Sequence, residues 1–448
     1  MWSILKIYVS LGLLTVYVHG DPKDSIIDAI NDVKNKRNKI DDIFMPSCLL
    51  KFGAGNFSVV YQGTDMDKRR DVAMKFSTSD VHSFREYEMY TYMKAIDYGI
   101  NKIDVEKYGI SPIYYFHPYD PKFGFITVFT RFECDLYQKR FILEAKFQQI
   151  DCLILFRDFV RQSKYVHSCG IRHNGINPEN IMLRKGRSFL IDFNISSKIN
   201  GFFYAFASQY ASRRGHHQRD NMNESMEPNG CPLDDWESFL YTMASIVNVE
   251  LPWFHSVQQT DQKLKMSATV IGKLKENTNE TITKIMERFG DDVNFVHLKQ
   301  VMIKFAEEAF RDDIQFPNYN DFDKLITEKI DVINKSNAQP GPAIFTWLEG
   351  DQRNEAIKDL EDNPPATAEQ IEQPKAKFEE KDYVIPKYGY FVEKMEENKK
   401  NKKNKGESSS GVFFSILSIS SLIPGFGSRC DSHKGSSCDE TEALIKKY

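Results

Sequence analysis

Three short stretches of this 448-residue chain carry side chains of the kind that bind or transfer phosphate. Gly53 and Gly55 open the run Gly-Ala-Gly-Asn-Phe-Ser-Val-Val at 53–60. Glycines in such a turn let backbone N–H groups approach phosphate oxygens without an intervening Cβ. Lys75 follows on a later segment, where it could hold a phosphate, and Glu86 could form an ion pair with it. The glycines alone are weak evidence, because an ordinary hairpin turn uses them too.

The second and third stretches lie between residues 170 and 194. The second contains a polar loop whose members could contact a reacting group: His173, Asn174, Gly175 and Asn177. Asn180 follows this loop, and Asp192 follows a short apolar run in the third stretch.

The hydrophobic pattern predicts the elements that position these residues. The apolar alternation of strands begins at residue 49 and recurs at 58–61, 71–76, 123–130 and 189–191. The helical period is found at 82–96, at 147–168 before a stop at Gly170, and from Pro232 to about Val332. A β-rich first part is thus followed by an α-rich second part. The glycine turn lies between strands, and Lys75 lies on a strand.

Order, spacing and structural setting agree at four places with those of protein kinases, and the chain resembles the protein kinase fold. Asp-Asp-Trp-Glu-Ser-Phe-Leu-Tyr at 234–241 and Leu-Pro-Trp at 251–253 are similar to the casein kinase I signature. The resemblance covers roughly residues 45–330, at the level of the casein kinase I and vaccinia-related kinase group. It implies an α+β, two-lobed fold with a small β-rich N-lobe and a larger α-helical C-lobe.

The resemblance also implies a cofactor, ATP with Mg²⁺. The nucleotide would be held by the glycine turn, the ion pair and the hinge between the lobes, which comprise Gly53, Gly55, Ser58, Lys75, Glu86, Thr130 and Phe132. Asn180 and Asp192 would hold the metal ion.

Three further roles follow from the same resemblance. Phe129 would be the gatekeeper residue beside the hinge at 130–132. Asp235 would accept hydrogen bonds from backbone N–H groups of the catalytic loop. Glu86 is preferred to Glu88 as the partner of Lys75, because the inward face of the predicted helix then carries its apolar residues.

The chain departs from the kinase pattern at the residues that perform the chemistry. Kinases carry H-R-D-x-K-P-x-N in this loop, where the Asp accepts the substrate proton and the Lys supports the transferring phosphate. Here Asn174 replaces the Arg, Gly175 the Asp and Asn177 the Lys, while His173 is kept. Gly175 offers no side chain that could act as a base. The sequence therefore predicts a pseudokinase that binds a protein partner. The alternative is an active or weakly active serine/threonine kinase that recruits another base.

Nucleotide binding stays open at this point. Ser58 stands where a third glycine is usual, and Asn194 replaces the glycine of D-F-G, although asparagine tolerates a left-handed backbone better than most residues. The remaining residues could bind ATP and Mg²⁺, or could persist as a buried network that joins the lobes. His216 and His217 are expected in a solvated loop rather than in a metal site, because no second ligand pair is visible.

The first twenty residues have the layout of a secretory signal peptide, with one positive charge, an apolar run at 7–18 and small or medium residues before Asp21. They predict a secreted or extracellular glycoprotein, the alternative being a signal-anchored membrane protein. Five N-x-S/T sequons suit that route: Asn56, Asn194, Asn223, Asn279 and Asn334. Residues 21–44 are predicted to form a helical extension before a kinase-like domain at 45–332.

The remainder of the chain differs in composition. Residues 333–410 are rich in Pro, Glu, Lys, Asn and Ser and predict a low-complexity linker. Residues 411–448 contain an apolar island, with Cys430 and Cys438 beyond it. The lysine run before the island could contact an anionic membrane and tether the protein, but a soluble linker is favoured. The net charge of −4 gives no reason to expect nucleic-acid binding.

Overall fold

The computed structural model describes residues 7–10, 13–16, 44–54, 58–78, 80–96, 104–120, 122–199, 209–215, 230–253, 275–336 and 342–374. All belong to the first of the chain's two compact units, Met1–Phe391. The predicted helix before residue 44, His216, His217 and the predicted tail beyond residue 374 lie outside the described residues.

Two short strands occur within the predicted signal peptide. Strands β1 (Ile7–Ser10) and β2 (Leu13–Val16) pair antiparallel. The signal peptide itself stays a prediction. No helix within the described stretches is long and apolar enough to span a bilayer.

Five antiparallel strands form the N-lobe sheet in the order β3-β4-β5-β7-β6. Their bounds are Phe44–Ala54 (β3), Ser58–Asp65 (β4), Arg70–Ser77 (β5), Ile113–Asp120 (β6) and Gly124–Thr130 (β7). Because side chains alternate along a strand, the sheet has two faces. One face packs a small core of Val59, Tyr61, Val72, Met74, Phe76, Ile126 and Val128. Lys75 and its cross-strand partner Val60 lie on the other face.

Helix α1 (Asp80–Tyr92) covers that second face and carries Glu86 to it. Phe84 packs edge-on against Phe125 of β7, with 5.2 Å between ring centroids. This contact helps to fix the rotation of the helix about its axis, and Glu86 is only 2% exposed. The helix ends before residue 96, the predicted boundary, and Lys94 just beyond it has a left-handed φ of 53°.

Helix α2 (Gln149–Ser168) is the central element of the C-lobe, and Gly170 (φ 76°) follows its end. The later helices are α3 (Leu233–Ile246), α4 (Thr278–Phe289), α5 (Val296–Ala309) and α6 (Tyr319–Ser336). Aromatic rings in stacked and edge-on contact fill the space between α2, α3 and α5: Phe156, Phe159, Trp236, Phe239 and Phe305. The predicted two-lobed α+β fold is confirmed.

Two small sheets position the polar loops between α2 and α3. In one, β10 (Ile181–Arg184) pairs with β11 (Arg187–Leu190) and with β8 (Cys134–Asp135). In the other, β9 (Ile171–Arg172) pairs with β12 (Ser197–Lys198). The second pairing holds together the two ends of segment 173–196, which carries every predicted catalytic and metal-binding residue. Within it lie the 3₁₀ turns Pro178–Asn180 and Phe193–Ile195.

The prediction of a low-complexity linker beginning at residue 333 is wrong. Helix α6 continues to Ser336, and residues 342–374 form a folded segment, here named the strap, which contains α7 (Gly350–Asp362). The strap buries nine apolar side chains: Ala343, Ile344, Phe345, Leu348, Ala356, Leu360, Ala366, Ala368 and Ile371. Composition concealed them, because the Pro, Glu and Asp residues between them dominate any window average.

Polar contacts attach the strap near both ends of α2. Asp151, in the first turn, accepts hydrogen bonds from Thr346 N (2.6 Å) and Thr346 Oγ1 (2.7 Å). Towards the last turn, Lys164 Nζ donates to Ala368 O at 2.6 Å. The folded C-lobe therefore includes residues up to 374, beyond the predicted domain end at 332.

Candidate active site

A cavity of about 240 Å³ lies between the two lobes. The N-lobe contributes Ser58, Lys75, Ser77, His82 and Glu86 to its walls. The C-lobe contributes the polar loops, with Asn174, Gly175, Asn177, Asn180, Asp192 and Ile195. Most residues singled out in the sequence therefore meet in one place.

Lys75 stands at the centre of three charged groups in this cavity. Its Nζ lies 2.9 and 3.1 Å from the two carboxylate oxygens of Glu86 and 2.6 Å from Asp192 Oδ1. Glu88, the less favoured candidate, instead accepts a hydrogen bond from Tyr92 at 2.8 Å. Because Lys75 lies on β5 and Asp192 follows β11, the cluster joins the two lobes.

Two carboxylates share one ammonium group, and this sets their pKa values apart. Burial raises the pKa of Glu86 to about 7, and the charge of Lys75 offsets this only in part. Burial would also raise the pKa of Asp192, but its short contact with Lys75 holds that pKa below its usual range. Burial would lower the pKa of Lys75, whereas the charges of Asp192 and Glu86 raise it above its ordinary value.

The backbone at Asp192 is left-handed, with φ 66° and ψ 66°. A residue other than glycine keeps such a conformation only where its surroundings hold it. Phe193 is fully buried, with its ring 4.5 Å from that of His173 and 5.2 Å from that of Tyr90. His173 Nε2 also lies 2.9 Å from Ile191 O. These contacts hold the segment where the Asp192 carboxylate reaches Lys75.

Asp235, in the first turn of α3, organises the polar loop. Its Oδ2 accepts from His173 N at 2.7 Å, and its Oδ1 accepts from Asn174 N at 2.8 Å. His167 Nε2 lies 3.0 Å from Oδ2. Burial would raise the pKa of Asp235, but the hydrogen bonds and the nearby imidazoles hold it below its usual range. Asp235 thus accepts loop N–H groups, as the resemblance implied.

The asparagines that replace the Arg and Lys of the kinase pattern are used within the C-lobe. Asn174 Nδ2 donates to Ser197 Oγ at 2.9 Å and to Ile195 O at 3.1 Å. Asn177 Oδ1 accepts two backbone N–H groups of the following turn at 2.9 and 3.1 Å and so caps it. Both side chains stabilise the loop, and neither supplies the positive charge that the kinase lysine brings to a transferring phosphate.

Gly175 occupies the position of the catalytic carboxylate in the kinase pattern. A Cβ placed there would lie 3.1 Å from Ile195 Cδ1, 3.3 Å from Ile195 Cγ1 and 3.4 Å from His173 Nδ1. Ile195 therefore takes up part of the space that a side chain at this position would need.

The two predicted metal ligands line the same cavity. Asn180 Nδ2 donates to Gly175 O at 2.8 Å, which leaves the amide oxygen of Asn180 for another partner. The side chain of Asp192 is 30% exposed although Oδ1 contacts Lys75. In the described part of the chain, this cavity included, no group of three or more His, Cys, Asp or Glu side chains could hold a metal ion.

The predicted hinge residues are buried, and Thr130 is already engaged. Phe129 and Phe132 are 9% and 7% exposed. Thr130 Oγ1 is hydrogen-bonded to Tyr114 at 2.8 Å and donates to Glu106 at 2.9 Å. None of these three residues lines the cavity, so the structure does not bring the predicted hinge residues into the site.

The predicted glycine turn is described in part. Gly53 lies in β3 opposite Val60 of β4, and Gly55 lies outside the described residues. Ser58, which stands in place of a third glycine, lines the cavity and pairs across the sheet with Ser77.

Sequence reasoning missed several residues of the cavity wall, among them Ser77, His82 and Ile195. Ser77 lies two residues after Lys75 on one strand, and His82 lies four residues before Glu86 on one helix. These spacings place side chains on a common face and could have identified both residues. Ile195 carried no such signal, because its contact with Gly175 requires the chain to return from β11.

The match to known proteins agrees with this geometry. The model of the protein kinase domain matches residues 48–308, more than half of the chain, and the chain belongs to the protein kinase family. It is similar to the probable serine/threonine-protein kinase fhkA of Dictyostelium discoideum, with 28% identity over 147 residues. That alignment covers 32% of this chain and 24% of the relative, so the chain spans about a quarter of the length of that protein.

Proposed function

We propose that this protein is a pseudokinase, a kinase-fold protein that binds a nucleotide and a protein partner without efficient phosphate transfer. The observation that carries the proposal is the combination of Gly175 at the position of the base with Ile195 in the adjoining space. A general base must lie within hydrogen-bond reach of the proton that it accepts, and Gly175 has no side chain with which to do so.

The size of the expected defect follows from the two missing groups. A positioned base contributes about 10²–10⁴ in rate. A cation that stabilises the transferring phosphate contributes on the order of 10²–10³, by analogy with other preorganised electrostatic contacts. Asn177 caps the turn and carries no charge. Losing both groups would slow transfer by roughly four powers of ten or more.

The cleft nevertheless keeps groups that suit ATP and Mg²⁺. Lys75 would contact phosphate oxygens, and the oxygens of Asn180 and Asp192 would hold the metal ion. With Glu86 ionised, the cluster of Lys75, Glu86 and Asp192 has a net charge of −1, which favours a bound cation. Mg²⁺ would supply neutralisation of the nucleotide's phosphate charge.

The finer assignments belong to the same proposal. The motifs at 234–241 and 251–253 favour the casein kinase I and vaccinia-related kinase group. The N-terminal pattern favours the secretory pathway. A folded domain with an impaired cleft then acts as a protein-binding or regulatory scaffold, with membrane tethering through the tail as the less favoured alternative.

A serine/threonine kinase of low activity is the second candidate. Two observations favour it: the Lys75–Glu86 ion pair is formed, and the Asp192 carboxylate faces the cleft. The similarity to a probable serine/threonine kinase points the same way. Such an enzyme would need a base or a positioned water that does not depend on residue 175.

Thermal unfolding of the full chain with and without MgATP, together with ADP release, separates the candidates. Ligand at a hundred times its Kd stabilises the native state by about 2.7 kcal/mol. We expect that stabilisation in the unmodified protein and its loss in Lys75→Ala, whereas Lys324→Ala, which removes an exposed lysine of α6, keeps it.

The pseudokinase proposal further expects no ADP release above background. Release that Asp192→Ala abolishes would instead establish the active kinase. No stabilisation by MgATP at any concentration would remove nucleotide binding from the proposal and leave the scaffold role alone.

A further inference from the structure

A second cavity, of about 280 Å³, lies on the C-lobe between α2, α6 and the strap. The strap supplies an apolar wall that includes Leu360, Pro364 and Pro365. Helix α2 contributes two arginines to the lining, Arg157 and Arg161. None of these residues lines the cleft between the lobes.

The two arginines lie four residues apart on α2, so their side chains leave the same face of the helix. Arg161 uses Nε to bind Asp323 Oδ1 at 2.7 Å, and its side chain is 9% exposed. Its two terminal nitrogens have no hydrogen-bond partner among the described residues. Since Arg161 lines the cavity, these terminal nitrogens are the donors that it offers there.

Arg157 is compensated less well than Arg161. Its closest carboxylate oxygen is Asp158 Oδ1, at 3.5 Å from Nη2. The other oxygen of Asp158 accepts from Ser188 N at 3.0 Å. Arg157 Nε is buried and lacks a partner within the described part of the chain. Buried donors in native proteins are nearly always paired, so the unpaired Nε of Arg157 calls for an explanation.

The electrostatic environment leaves room for an added anion. Burial lowers the pKa of Arg157, the charge of Asp158 opposes this, and repulsion from nearby Arg161 lowers it further. Both oxygens of the Asp323 carboxylate already accept a hydrogen bond. Oδ1 accepts from Arg161, and Oδ2 accepts from the backbone N–H of Ala368 at 2.9 Å. Two like charges therefore face one partly enclosed space. Asp158 and Asp323 beside them are already engaged, and the third carboxylate at the cavity, that of Asp331, is exposed to solvent.

We propose that this cavity binds a small phosphate-bearing anion, clamped between the guanidinium groups of Arg157 and Arg161. Guanidinium groups present paired donors whose geometry matches phosphate oxygens, and two of them match the double charge of a phosphate monoester. Ligand cavities usually measure roughly 300–1,000 Å³, so a cavity of about 280 Å³ suits a small phosphorylated compound. The amide of Asn334 lies in the wall and is a further polar group within the cavity.

Titration with inorganic phosphate and with pyrophosphate tests this site on the full chain. Both are added at constant ionic strength, with chloride as the control anion, and binding is followed by calorimetry and thermal unfolding. We expect one saturable site and a rise in Tm that chloride does not produce. Lys75→Ala should keep the effect, because Lys75 belongs to the other cavity.

Arg157→Gln should weaken phosphate binding about tenfold or more, the usual effect of losing a charged hydrogen bond. Arg157→Lys keeps the charge but loses the paired donors, and should weaken it less. Arg311→Gln is the matched control, since Arg311 pairs with Glu308 and Asp313 and does not line the cavity. If Arg157→Gln fails to fold, the comparison of Arg157→Lys with Arg311→Gln decides.

Three results would overturn the proposal. The first is the absence of phosphate binding at millimolar concentration. The second is unchanged affinity in both Arg157 variants. The third is an effect lost in Lys75→Ala and kept in Arg157→Gln, which would place the phosphate in the cleft between the lobes.

Discussion

Restoring a carboxylate at position 175 is the most direct test of why this cleft should transfer phosphate poorly. The change is Gly175→Asp, made alone and together with Asn177→Lys. The new Cβ would lie 3.1 Å from Ile195 Cδ1, a contact that Ile195 must relieve by moving a few tenths of an ångström. Overpacking of this kind costs about 1–3 kcal/mol. Ile195 is only partly buried, so we expect the low end of that range.

The same contact predicts that Gly175→Asp restores activity incompletely. A displacement of about 1 Å in a catalytic group can cost about a hundredfold in rate. Adding Ile195→Ala removes the obstructing methyl groups and should raise transfer beyond that of Gly175→Asp. We expect the triple variant with Asn177→Lys to be the fastest, by about a hundredfold or more over the unmodified chain.

The assay is initial-rate transfer of labelled γ-phosphate to a generic acceptor protein, with urea unfolding of each variant in parallel. Gly175→Asn is the matched control, since it has the same volume as Asp without a carboxylate. The reasoning fails if the unmodified protein transfers as fast as Gly175→Asp. It also fails if Ile195→Ala gives no gain in the presence of Asp at 175, because Ile195 would then not limit the position of the carboxylate.

Two further expectations concern stability. The pKa of Glu86 rises from 4.5 to about 7 on folding. The contribution of this group to the free energy of unfolding is fully present below pH 4.5. It falls by an amount on the order of 3 kcal/mol as the pH rises through 7. In urea unfolding, the free energy of unfolding of Glu86→Gln should depend less on pH between 5 and 8 than that of the unmodified chain. The same pH dependence in both proteins would contradict this. A chain that ends at Ser336 should fail to fold cooperatively, because five large strap side chains at about 1.5–3 kcal/mol each approach the 5–15 kcal/mol of a whole domain. A chain that ends at Pro374 should unfold like the full protein, and equal Tm values for the two truncations would show the strap to be dispensable.

Local patterns in the sequence predicted a β-rich first part and an α-rich second part. The strand with Lys75 and the long apolar helix before Gly170 each show the hydrophobic period of one kind of element. The two-lobed arrangement of these elements was implied by the resemblance to protein kinases. Glu86 could be distinguished from Glu88 by the helical period, since two residues of separation on a helix turn a side chain by about 200°.

The strap shows where local patterns failed. Its buried residues are spaced irregularly among prolines and acidic residues, and only the surface of the C-lobe gives them a common environment. Thr346 meets Asp151 across 195 positions of sequence, and no local window contains both. Strand β6 (Ile113–Asp120) was missed as well. It lies at one edge of the sheet beside β7, so its position is set by a neighbouring strand and not by its own sequence pattern.

The sequence by itself determined which groups this kinase-family cleft lacks, because the absence of a side chain at Gly175 and of a cation at Asn177 needs no coordinates. Tertiary structure decided how the remaining groups are used. Ile195 limits the space beside Gly175, Asn177 caps a turn, and Lys75 is shared between two carboxylates. The cap formed by Asn177 is local. The contacts of Ile195 and Lys75 depend on segments brought together by folding, where distance in space is independent of distance along the chain.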